Sequence, residues 1–259
     1  MGHIRLGTLP ATRKWREVVD LVSGGAPPDL IAGASASAAE AALRHARDDP
    51  ALLHSFWLLT QLPLAARAPD FLESLHALGL RIDRDPSLLE IVGALTEAID
   101  RRTESAGGRT DLGEMAQLAA ADSLAAVVGS NLPSLFGPSA ADVQLELGKF
   151  AARDRFAVLA RDFFARLTER YLDYYLSREL SNHIGSTRRF ISSDAHADFN
   201  DALSQYCQEA SRIVEAFAGG WYSKTNFEGG ITPEKAGAFV FVALRKVRQE
   251  LRKRSAGHG

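Results

Sequence analysis

From Asp142 to Leu180 the chain reads as an almost unbroken helical pattern, with one bend expected near Asp154. Its segment "DRFAVLARDFFARLTERYLDYYLSREL" carries two neighbouring apolar stripes. Phe156, Phe163, Leu167, Tyr171 and Tyr174 mark one, and Phe164, Leu172, Tyr175, Leu176 and Leu180 mark the other. A helix apolar over so much of its circumference has to be wrapped by other elements, so it belongs in the middle of a bundle. No run of alternating β-branched residues offers a sheet to do the wrapping. The expected fold is therefore all-α, a multi-helix bundle of about ten helices.

Local signals mark where the other helices begin and end. "ATRKWREVVDLVSGG" repeats Trp15, Val18, Val19 and Val22 at helical spacing, with Gly24 expected to close it in the left-handed conformation. Ser37 with Glu40 fits a capping box opening "SAAEAALRHARDD". Asp49-Pro50 and Asp85-Pro86, 36 residues apart, each pair a capping carboxylate with proline at the first helical position. Pro63 should break or kink the helix opened by Pro50. Residues 103–111 read as a loop, and an alanine-rich helix follows that a neighbour can approach closely. Pro133, Gly137 and Pro138 punctuate residues 130–140, the expected boundary between an N-terminal lobe, 1–137, and a C-terminal lobe, 138–259.

The overall charge of -2 argues against a protein that coats nucleic acid along its whole surface. Its distribution is uneven. Residues 1–137 hold 12 Lys+Arg against 17 Asp+Glu, a net of -5, and residues 138–259 hold 18 against 15, a net of +3. Cys207 is the one cysteine, which excludes an internal disulfide and a cysteine-based zinc site. The start "MGHIRLGTLP" has no apolar stretch of signal-peptide length, and no run approaches the roughly 18 apolar residues of a spanning helix. A cytoplasmic protein is expected, and the preference for Ala and Arg suits a high-GC bacterial genome.

Enzyme signatures are absent: no GxGxxG after a strand, no GxxxxGK[ST] phosphate loop, no GxSxG elbow and no HExxH. Asp194, Asp198 and Asp201 share a helix face while His196 points away, which suits a helix N-terminus better than a metal site. No metal and no cofactor is expected. Cys207, inside an amphipathic pattern, reads as a small apolar filler.

Three surfaces remain. "AFAGGWYSKTNFEGGITPEK" is expected to end one helix at Gly219 or Gly220 and to open the next at Thr232-Pro233, leaving 219–231 as a packed loop. Trp221, Tyr222, Lys224 and Phe227 in that loop are the candidate partner-binding residues, aromatics beside a cation as at interface hot spots. The second surface is basic. Arg245, Lys246, Arg248, Arg252, Lys253 and Arg254 crowd the end of the last helix, and Arg13, Lys14, Arg188 and Arg189 would join them in contacting phosphates if the fold gathers them. The third is a pocket around Tyr171, Tyr174, Tyr175 and His183 for a small molecule.

The leading expectation is a non-enzymatic interaction or scaffold subunit of a cytoplasmic bacterial assembly, whose partner is another protein or a second copy of the chain. A nucleic-acid-binding accessory protein, of the kind that serves defence or genome maintenance, is the runner-up. A small-molecule sensor or enzyme built on the tyrosines is the third reading.

Overall fold

The computed structural model describes residues 12–38, 46, 48–133, 137–180, 183, 190 and 192–256, and these form an all-α bundle without a β-strand. In chain order the helices are α1 (Arg13–Ser23), α2 (Pro28–Ala38), α3 (Pro50–Ala65), α4 (Phe71–Ala77), α5 (Leu88–Ser105) and α6 (Asp111–Ser123). A π-helical segment, Leu124–Val128, prolongs α6. Then come α7 (Ala140–Lys149), α8 (Arg153–Leu180), α9 (Ser193–Ala210), α10 (Arg212–Phe227) and α11 (Pro233–Ala256). The bend expected near Asp154 is a full break at 150–152 that separates α7 from α8.

Both apolar stripes of α8 are buried, except that Tyr174 is half-buried and donates its hydroxyl to the Asp111 carboxylate at 2.8 Å. Helix α3 is likewise apolar on nearly every side and sits inside the bundle, touching α5, α6, α7 and α11. Phe56 on α3 is the hub. Its ring lies flat on Phe239 of α11 at 5.2 Å, and 5.3 and 5.6 Å from Phe164 and Phe163 of α8. Trp221 of α10 completes the cluster at 6.2 Å. Such tilted and offset aromatic contacts contribute about 0.5–1.5 kcal/mol each beyond the area they bury.

Several start signals act as the sequence predicts. Asp49 caps α3, accepting the Leu52 N–H at 2.9 Å, with Pro50 at the first position. Its other oxygen accepts the hydroxyl of Thr110, which itself caps α6 by accepting the Gly113 N–H at 2.8 Å. Gly113 permits this meeting, because a Cβ there would stand 2.6 Å from that of Ala51. Pro63 lies inside α3, which ends two residues later at Ala65.

Other signals act differently. Gly24 has φ -77, and Gly25, at φ 74, is the left-handed residue that closes α1. Ser37 does not open a helix; it sits near the end of α2 with its hydroxyl donating to the Gly33 carbonyl at 3.0 Å, and Glu40 lies outside the described residues. At 85–90 the cap is Ser87, in a reciprocal box with Glu90, and Asp85 adopts φ 58 in the preceding turn. The largest departure concerns α10, which runs through Gly219 and Gly220 to Phe227. The glycines that stop it are Gly229 and Gly230, at φ 99 and 87.

Gly219 serves contact between helices instead of capping. A Cβ on it would lie 2.4 Å from the Arg153 carbonyl oxygen, so α8 and α10 approach closely only because this position is bare. A Cβ on Gly220 would meet nothing within 4 Å outside its own helix among the described residues. The two neighbours therefore have opposite expected responses at low protein concentration. Gly219→Ala should lower unfolding free energy by about 1–3 kcal/mol through overpacking. Gly220→Ala should raise it by up to about 1 kcal/mol, the helix-propensity difference, both read from urea denaturation midpoints.

Candidate functional site

Helix α10 has an inner and an outer face, and the four residues predicted for partner binding divide between them. Tyr222 is fully buried, its ring stacked on Phe156 at 3.8 Å and its hydroxyl donating to the Thr60 carbonyl at 3.0 Å. Burial pushes that phenol well above its usual range. Trp221 is half-buried against Phe239 at 4.2 Å. Lys224 is exposed and reaches Glu228 at 3.8 Å. Phe227 stands 91 % exposed at the helix end. Trp221 and Tyr222 are thus packing residues, while Lys224 and Phe227 face solvent.

The turn beyond is anchored, so the helix end that carries Phe227 is held in place. The Trp57 indole donates to the Ile231 carbonyl at 3.0 Å, Gln61 donates to the same oxygen at 3.2 Å, and Lys235 donates to Gly230 O at 2.8 Å. Thr232 and Pro233 then open α11 as predicted, with the Lys235 N–H donating to the Thr232 hydroxyl at 3.3 Å.

Arg212, Ala216, Gly220, Ser223 and Phe227 line the outer face at helical spacing. Next to it, between α8 and α10, lies an open depression of about 460 Å³. Its floor is small, formed by Ala157, Ala216, Gly219 and Gly220, and its rim carries Arg153, Asp154, Arg212 and Glu215. Glu215 also pairs with Arg161 at 2.9 Å and Arg212 with Glu209 at 2.8 Å. Sequence reasoning missed this depression because it treated Gly219-Gly220 as a helix stop. The Ala216-to-Gly220 spacing of four was the available signal.

The basic residues are spread among several roles. Arg13 and Lys14 are exposed on α1, where the Lys14 ammonium donates to Ser37 O at 3.4 Å. On α11, Arg245 lies over the Phe241 ring at 6.0 Å and Lys246 over the Phe217 ring at 5.5 Å. Lys253 pairs with Glu250 at 3.0 Å, and Arg254 with Glu209 at 3.9 Å. Arg248 is half-buried and Arg252 exposed. Helices α1 and α11 both pack on α2. Arg188 and Arg189 lie outside the described residues.

Around the tyrosines, Tyr171 and Tyr175 are buried with rings 5.2 Å apart, and burial raises both phenols. The cavity beside Tyr171, Thr168 and Arg248 measures about 30 Å³. That is room for a water molecule or two, against roughly 300–1,000 Å³ for a ligand pocket. His183 is half-buried, and its carbonyl accepts the Phe190 N–H at 2.9 Å. Asp194, Asp198 and Asp201 are exposed along α9, and His196 packs edge-on to Phe190 at 5.2 Å. Among the described residues no three His, Cys, Asp or Glu side chains converge as a metal site would require. Cys207 is fully buried, which drives its thiol far above the usual range, as suits a filler.

No family model matches the chain, and no curated protein or solved structure matches it significantly. Among the described residues no helix is long and apolar enough to cross a membrane.

The two faces of α10 should separate on mutation. Tyr222→Phe removes a buried hydrogen bond and should cost about 1 kcal/mol. Phe227→Ala should change stability by less than about 0.5 kcal/mol. Chemical denaturation of both variants checks this. A pH effect comes from His54, stacked on Trp57 at 5.4 Å, whose pKa is lowered to about 4 by burial and then by the Arg102 charge. The folded protein holds it neutral while the unfolded chain binds a proton below about 6.5. Stability should therefore fall by on the order of 2–3 kcal/mol between pH 6.5 and 4. His54→Leu should remove that part of the pH profile.

Proposed function

We propose that the protein is a non-enzymatic helical interaction subunit of a cytoplasmic assembly, docking another polypeptide on the outer face of α10. The observation that carries this reading is Phe227, 91 % exposed on a helix whose other side is locked into the core. An aromatic ring presented on a fixed backbone loses little conformational freedom when a partner covers it, and burying it contributes about 1.5–3 kcal/mol. The adjoining depression gives a partner's side chains a place to enter. A second reading, contact with nucleic acid, draws support from Arg245 and Arg252, both exposed and seven residues apart on α11.

The test is a pull-down of tagged protein from its host at low salt, with and without nuclease, comparing wild type with Phe227→Glu. The docking reading expects a discrete protein that survives nuclease and is lost with Phe227→Glu. Nuclease-sensitive nucleic acid, retained by Phe227→Glu and released by Arg245→Glu/Arg252→Glu, would favour the second reading instead. A captured protein indifferent to Phe227 would place the docking surface elsewhere.

A further inference from the structure

The exposed ring stands on the outer face of α10, and the depression opens beside that face, between α8 and α10. Phe227 projects from the end of α10, and the depression is centred near Ala216, 11 residues earlier. At 1.5 Å of rise per residue they are about 16 Å apart. A two-fold axis crossing α10 midway between them would seat each Phe227 in the other copy's depression at the same time. Such reciprocity defines an isologous interface, in which one patch is complementary to itself. We propose that the occupant of this face is a second copy of the chain, with the two α10 helices packed antiparallel. This rests on the docking reading above and supplies its partner.

Two further observations point the same way. The midpoint falls at Gly220 and Ser223, the small outer-face residues where two backbones would come closest. Nothing among the described residues calls for Gly220: its φ is not in the left-handed region, and an added Cβ would meet no atom within 4 Å outside its own helix. A glycine inside a helix lowers its stability, and close approach of a neighbouring helix accounts for one here. Charge is also self-complementary. Arg153, Arg212 and Lys224 stand against Asp154, Glu215 and Glu228, so the face is formally neutral and meets its own copy without net repulsion. The arginines at the rim suit an arriving aromatic ring.

Sedimentation equilibrium from micromolar to submillimolar concentration reads the outcome directly. Wild type should populate a dimer of the 28.0 kDa chain. Phe227→Glu and Gly220→Leu should each weaken association by about 30-fold or more, with unchanged helical circular dichroism. Leu89→Glu, which alters another exposed apolar residue, on α5, should leave association intact. Ser223→Cys should form a disulfide-linked dimer under mild oxidation, and Leu89→Cys should not. A wild type that stays monomeric throughout, or a dimer insensitive to Phe227→Glu in which Ser223→Cys does not cross-link, would overturn the proposal. In the monomeric case, Phe227-dependent capture of a different protein would keep the docking reading with another occupant. Absence of such capture would remove both.

Discussion

Phe56 is where the separate parts of this chain become one body. Its ring is the common contact of α3 with α8, α10 and α11, elements that lie about 100 to 180 residues away in sequence. A helix as apolar as α3 has no stable place on a surface, so burying it requires neighbours on every side. The aromatic side chains of α8, α10 and α11 satisfy that requirement together, and one contiguous core runs from Trp15 to Leu251. Hydrogen bonds extend the arrangement outward from the hub. Thr60 O and the Trp57 indole, on the same helix as Phe56, tie down Tyr222 and the turn before α11.

The outer face of α10 is a consequence of this inner order. Because Gly219 lets α8 approach to backbone contact, α10 is pressed against the core along its buried side. Its outer side carries Ala216, Gly220 and Ser223, and Ala216 and Gly220 with Gly219 are small enough to leave a depression beside α8. Tyr222 and Phe227 are five residues apart, so they point away from each other. Burying the tyrosine therefore puts the phenylalanine in water. Core packing and the presentation of Phe227 thus have the same cause.

Much of this order was legible in the sequence wherever the signal was local or periodic. The two α8 stripes, the Asp49-Pro50 start and the Thr232-Pro233 start each depend on residues within a few turns of one another. What escaped depended on distant partners. A glycine that caps a helix and a glycine that admits a neighbour look alike in sequence, and only the Arg153 backbone, 66 residues before Gly219, distinguishes them. The same confusion hid the depression and placed Trp221 and Tyr222 in a packed loop instead of on a helix. Competing local signals account for the rest: Ser87 with Glu90 forms a reciprocal box, which Asp85-Pro86 just upstream does not.

Both faces of α10 require it to continue as one rigid helix through Gly219 and Gly220 and to hold Phe227 outward. Amide hydrogen exchange, resolved residue by residue, tests it most directly. The amides of residues 221–227 should exchange slowly, in step with the first half of α10, while those of Gly229 and Gly230 should exchange fast. Exchange of 221–227 at the rate of an unstructured chain would contradict it, and would return this stretch to a loop between two shorter helices.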